Sequence, residues 1–166
     1  MTCIVVCDTG PLLHLSEAGA IHLLQLAGEI LIPQLVAVEF HKNAPGRNLP
    51  EWVQVIGLSE TSAQQSAGWV QARRIDQGEA AAIALALQAQ ADWLLSDDAQ
   101  ARQFAQTTGL EVHGSVGLLL WSVAAGHVDD RVQASTLLNN LSATSLWVSD
   151  RVLNEARQAI DRLLSA

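Results

Sequence analysis

Short runs of consecutive apolar residues alternate along the chain with longer stretches in which apolar positions recur every three or four residues, the signatures of buried strands and amphipathic helices. Thr2 to Cys7 is β-branched and continuously apolar, the pattern of a strand buried on both faces of a parallel sheet, and it ends at Asp8. Thr9, Gly10 and Pro11 then form a turn, with Pro11 suited to the first position of a helix running to about Gly19. A short helix, Ala20 to Ala27, closes at Gly28, Glu29 to Ile32 forms a second strand, and Pro33 starts another helix. His41 to Pro50, with Gly, Asn and two Pro, reads as a loop, and Trp52 to Leu58 alternates as an edge strand or an insertion would. A polar helix from about Thr61 to Ile75 follows.

The stretch from Gly78 to Arg102 organises the rest. It predicts an alanine-rich helix opening on Glu79, then a short apolar strand that ends on Asp97 and Asp98. A further helix to about Thr108, a strand over Leu110 to His113, and a very apolar helix capped by Ser115 and ending at Gly126 come next. Asp129 to Leu141 and Ser149 to Leu164 read as two more helices, the last with Val152, Leu153, Ala156, Ile160 and Leu163 on one apolar face. Alternation of strand and helix predicts an α/β fold, a mostly parallel sheet with helices on both sides. The 166 residues form one domain, with 129–166 a helical C-terminal extension packed on it.

Composition narrows the chemistry. A formal charge of −8 and a pI near 4.9 exclude a broad basic surface for nucleic acid. Lys42 is the single lysine and no GxGxxG or GxxxxGK[ST] pattern occurs, which removes phosphate-loop enzymes. Cys3 and Cys7, roughly 13 Å apart along a strand, are too distant to bridge and read as reduced thiols. The first residues lack the charged segment of a secretory signal, and the uncharged stretch Val112 to Val128 suits a buried helix better than a membrane span, so a cytoplasmic protein without a membrane partner is expected.

The acids carry the candidate chemistry. Asp8 and the pair Asp97, Asp98 each follow directly on an apolar strand, and Glu79 begins the helix that feeds one of those strands. Glu39 lies among Leu35, Val36 and Phe40 in mid-helix, a costly place for a carboxylate unless something compensates it. Singly each has a structural explanation: Asp8 as a turn or cap residue, Glu79 answering a helix dipole, Asp97 as an N-cap with Gln100 completing a capping box. Together, at neighbouring strand ends, they predict one carboxylate cluster. Crowded carboxylates raise one another's pKa, and the natural compensation is a hard divalent cation such as Mg2+ or Mn2+, which can activate water and clamp a phosphodiester. His14, His22, His41, His113 and His127 show no spacing that pairs them with a carboxylate or nucleophile.

These residues resemble the PIN domain family, and within it the VapC-like toxins of bacterial type II toxin-antitoxin pairs. The likeness runs from about Ile4 to Leu120 and rests on VVCDTGPLLHL, LIPQLVAVEF, GEAAAIALA and LLSDDAQARQFA followed by GLEVHGSVGLLL, in that order. It implies a Rossmann-like three-layer α/β/α sandwich and a Mg2+- or Mn2+-dependent endoribonuclease, with Asp8, Glu39, Glu79 and Asp98 as catalytic metal ligands. Asp97 is the alternative to Asp98, because the doubled aspartate leaves the register open. Two positions depart from the family pattern: Glu79 replaces the usual aspartate, and Ser96 stands where threonine is common. Thr9 and Ser96 are expected to support the acids, Thr9 through a hydroxyl contact to Asp8. Lys42, Arg47 and Arg102 are candidate RNA-binding cations. A small antitoxin and a second copy of the chain are the partners the resemblance implies.

Two other classes compete. An inactive PIN-like module could dock an arginine of a partner protein in the same acidic pocket. A phosphoacceptor built on Asp8 fits less well, since Gly10 stands where a haloacid-dehalogenase phosphatase needs aspartate and no lysine follows Lys42 as a receiver domain needs.

Overall fold

The computed structural model describes Thr2–Ser165. β1 (Ile4–Cys7), β2 (Glu29–Pro33), β3 (Val53–Ile56), β4 (Trp93–Leu95) and β5 (Val112–His113) form one all-parallel sheet in the order β3-β2-β1-β4-β5. Val5 pairs with Ile30 on one side and with Trp93 on the other. The central strands are buried on both faces, as continuous apolar runs require, whereas Val55 on the edge strand β3 is half-exposed.

The strand order means that the chain leaves β1 towards β2 and β3, then crosses back to β4 and β5. The sheet is flanked by helices, giving the three-layer sandwich expected. The carboxyl ends of β1 and β4, where the direction reverses, form the switch point at which such sheets keep their crevice. α1 (Thr9–Glu17) and α2 (His22–Ala27) join β1 to β2, and α3 (Gln34–Asn43) joins β2 to β3. α4 (Glu60–Gln71) and α5 (Gln77–Gln88) lead to β4, α6 (Ala99–Thr107) leads to β5, and α7 (Ser115–Ala124), α8 (Arg131–Ser142) and α9 (Asp150–Leu163) complete the chain.

α5 is apolar all round, and every residue from Ala80 to Ala86 is buried, because it lies between the sheet and helices α3 and α4. Alanine serves both needs: it favours helix and lets the backbone approach its neighbours closely. Gly28 marks another close approach. Its φ is +150° and a Cβ there would stand 2.1 Å from the Cys3 carbonyl oxygen, just where Glu29 N–H donates to that oxygen (2.9 Å) and β1–β2 pairing begins.

Several boundaries differ from the sequence reading. The polar helix ends at Gln71 instead of Ile75, since the chain reverses through Arg73 at φ 57° and buries Ile75 before entering α5. Ser115 is not the cap of α7; it is the first helical residue and itself receives a cap from elsewhere. In α9 only Ala156 and Ile160 of the predicted stripe are fully buried, Leu153 is partly so, and Val152 and Leu163 stay substantially exposed. α8 and α9 pack on each other and on α7, and α8 also meets α1. Cys3 and Cys7 are both free thiols. No helix among the described residues is long and apolar enough to cross a membrane.

Candidate metal centre

A cavity of about 670 Å³ opens at the switch point, and Asp8, Glu39, Asp76, Glu79, Asp97 and Asp98 all line it. Each acid reaches it for a local reason. Asp8 leaves β1 extended and becomes the N-cap of α1, its Oδ1 accepting from Thr9 N–H at 2.8 Å. The residue is 6% exposed, and the Ser96 hydroxyl donates to Oδ2 at 3.4 Å. Ser96 thus contacts Asp8. Thr9 supports it through its backbone; its hydroxyl turns away and donates to Glu39 Oε2 at 2.6 Å, which corrects the expected Thr9 hydroxyl contact to Asp8. The reason is geometric: an N-cap carboxylate already faces the following N–H, leaving the Thr9 side chain to face α3.

Glu39 is half-buried, compensated by that hydroxyl and by the absence of a side chain at Gly78. A Cβ at Gly78 would lie 2.5 Å from both Glu39 carboxylate oxygens, so the glycine is the floor on which the carboxylate rests. Glu79 sits at the start of α5, whose N-terminus reaches the carboxyl end of the sheet. There it forms a reciprocal capping box with Asp76: Asp76 Oδ1 accepts from Glu79 N–H at 2.9 Å and Glu79 Oε2 accepts from Asp76 N–H at 3.2 Å.

The two aspartates after β4 both cap helices, but different ones. Asp98 caps its own helix, Oδ1 accepting from Ala101 N–H at 2.8 Å. Asp97 reaches across to α7: Oδ1 accepts from Ser115 N–H at 2.7 Å and Oδ2 from the Ser115 hydroxyl at 2.6 Å. His14 Nδ1 lies 2.7 Å from Asp97 Oδ2, so the expectation that no histidine pairs with a carboxylate is overturned. The partners are 83 residues apart and meet only because β1 and β4 are neighbours. His113 also pairs locally, with Glu111 at 2.8 Å.

A common design emerges. Asp98, Glu39 and Glu79 each have one oxygen anchored by a protein donor, and among the described residues the second has none, while Asp8 Oδ2 has only the long Ser96 contact. Asp97 alone has both oxygens engaged at short distance. Burial, assisted by the charges of Glu79, Asp76 and Glu39 and opposed by the Thr9 N–H, pushes the Asp8 carboxyl up to about 7. Burial, then the neighbouring Asp76 charge, pushes Glu79 up to about 7 as well.

No group of three or more His, Cys, Asp or Glu among the described residues is drawn tightly enough together to hold a metal ion by itself. The donor set nevertheless fits a hard divalent cation: carboxylate oxygens only, held in orientation yet uncommitted, two of them, Asp8 and Glu79, raised by burial and secondarily by neighbouring carboxylates whose repulsion a cation would relieve. Of the predicted cations only Arg102 lines the cavity, its Nη1 donating to the Ser96 carbonyl at 3.2 Å. Lys42 is exposed in the last turn of α3, and Arg47 donates to the Ser16 carbonyl at 2.8 Å; neither borders the cavity.

Asp76, Gly78 and His14 were missed from the sequence as site residues. Asp76 had a legible signal in its spacing three residues before Glu79, the capping-box pattern. Gly78 and His14 had none, because their contacts are tertiary. Also unforeseen is the α8–α9 loop, which brings Leu146, Trp147 and Val148 to the cavity rim.

No curated protein matches the chain. The family model described as a PIN domain, DUF3368, matches residues 4–162 and so includes β1, every acid above, α8 and nearly all of α9. The C-terminal helices, expected to exceed the family core, lie within that match. PIN domains are generally nucleases. With five parallel strands in this order and acids gathered at its switch point, the chain belongs to the PIN domain family.

Proposed function

We propose that this protein is a Mg2+- or Mn2+-dependent endoribonuclease that hydrolyses RNA phosphodiester bonds, with Asp8, Glu39, Glu79 and Asp98 holding the cation. The observation that carries the reading is that these four acids, distant in sequence, line one cavity at the switch point of a PIN-family sheet. When bound, the cation supplies Lewis-acid stabilisation of the phosphodiester and a lowered pKa for water. The chain's own residues supply position. Thr9 holds Glu39, Ser96 and the Thr9 N–H hold Asp8, and Asp76 holds Glu79, so that one oxygen of each acid is already oriented by the protein. Asp97 acts through others, tying the β4 end to α7 and His14. Arg102 is the cation suited to meet a phosphate at the cavity.

The same reading places the protein in the cytoplasm, as the toxin of a type II pair restrained by a small antitoxin and working as a homodimer. Support for this finer assignment is the VapC-like order of the four motifs. Growth arrest on expression, relieved by a small protein encoded in an adjacent reading frame, is the expected behaviour.

The decisive assay is cleavage of single-stranded RNA by purified protein. Mn2+-dependent products are expected, abolished by EDTA and slowed roughly 100-fold or more by Asp8→Asn. Cleavage that survives both treatments sinks the proposal, and tight binding of an arginine-rich peptide without any cleavage or metal binding favours the docking module instead.

A further inference from the structure

We infer that Trp147 is a stacking platform for a base of single-stranded RNA whose backbone crosses the acids, an inference that rests on RNA being the substrate proposed above. Trp147 is 84% exposed. The other four tryptophans are partly buried, with Trp93 and Trp121 packed edge to face and Trp69 against Phe104. The Trp147 indole lies on the rim of the cavity that the acids line, with a free aromatic face.

The loop that presents it is pinned. Ser145 N–H and hydroxyl both donate to the Glu17 carboxylate at the end of α1, at 3.2 and 3.1 Å. Thr144 Oγ1 accepts from Leu146 N–H at 3.2 Å, and the Ser149 hydroxyl caps α9. Leu146 and Val148 are partly buried, and Trp147 between them is exposed at the cavity rim.

The cavity is lined both by acids, Asp8, Glu79 and Asp98 among them, and by the apolar side chains of Trp147, Val116 and Val152. A nucleotide has matching halves: a phosphate for a cation on the acids, a base for the indole. Charge points the same way. The chain carries −8, and among the described residues lining the cavity Arg102 is the one Lys or Arg, so phosphate neutralisation cannot supply most of the affinity. Base stacking on an exposed aromatic supplies affinity without positive charge and without a sequence code.

The test uses the full chain with Mg2+ and an end-labelled single-stranded oligoribonucleotide of about ten nucleotides, a usual site size for such binding. An abasic oligomer of equal phosphate number and an arginine-rich peptide serve as comparators. RNA should quench tryptophan emission. Trp147→Ala should weaken RNA binding roughly 5- to 100-fold and raise KM more than it lowers kcat, while Trp147→Phe recovers most of the affinity and the melting temperature stays unchanged. The abasic oligomer should bind wild type and Trp147→Ala alike. Equal RNA affinity of wild type and Trp147→Ala, an equal loss with the abasic oligomer, or quenching by the peptide and not by RNA overturns the inference. RNA that is stacked but never cut supports it while overturning the nuclease; RNA that is cut with an unchanged KM in Trp147→Ala does the reverse.

Discussion

Gly78 leaves the space that the Glu39 carboxylate occupies, and this pair separates stability from function at the level of single residues. In Gly78→Ala the new Cβ would meet both Glu39 oxygens at 2.5 Å. The end of a flexible side chain can swing aside cheaply, and alanine gains up to about 1 kcal/mol of helix propensity over glycine. The melting temperature should hold or rise slightly, whereas Mn2+-dependent cleavage should fall roughly 10- to 100-fold as Glu39 leaves its Thr9 anchor. An unchanged rate would remove Glu39 from the site. Glu39 was legible in sequence as an acid on an apolar helix face. Gly78 looked like punctuation before a helix, because the carboxylate it accommodates belongs to another element.

Helix ends are where the elements are joined, and Asp97 and Asp98 divide that work. Asp97→Ala removes the acceptor for the Ser115 N–H and hydroxyl and strips His14 of its partner, all at a nearly buried site. Asp98→Ala removes one part-buried cap bond from an exposed residue. Urea denaturation should therefore show a loss of about 2 kcal/mol or more for Asp97→Ala and about 1 kcal/mol for Asp98→Ala. Nuclease activity should rank the other way, with Asp98→Ala the more damaged at a temperature where both are folded. The opposite ranking in activity would make Asp97 the ligand. The sequence left this choice open with good reason: adjacent residues after a strand differ only in direction, and direction is decided by which neighbouring helix offers an N–H. Element types and order were legible throughout, because period and punctuation are local properties. Boundaries drifted where a tertiary demand intervened, as at Arg73, where the chain turns early to deliver Asp76 to α5.

For the molecule as a whole, the clustered acids make stability depend on pH. Asp8 and Glu79 lie near 7 in the folded protein against 3.8 and 4.5 for their ordinary values. The cation-free fold thus holds protons that the unfolded chain releases. Stability from the neutral acids is complete below the ordinary values and is lost as pH rises through about 7. For the nearly buried Asp8 the loss approaches about 4 kcal/mol as an upper bound; half-exposed Glu79 adds less, because solvent screens it. Thermal scans without metal should give a higher melting temperature near pH 5 than near pH 8, with Mg2+ raising it at pH 8 and doing little at pH 5. A flat, Mg2+-insensitive profile would show that the acids do not share one environment. By itself the sequence determined the α/β class, the order of elements and the candidate acids at strand ends and helix starts, since these follow from hydrophobic period and from the residue types that end strands and cap helices. Only the tertiary structure decided that β1 and β4 are neighbours, that His14 and Ser115 take Asp97, that Gly78 seats Glu39, and that the C-terminal helices carry Trp147 to the rim. Each of these joins residues far apart in the chain, and no local pattern encodes such a meeting.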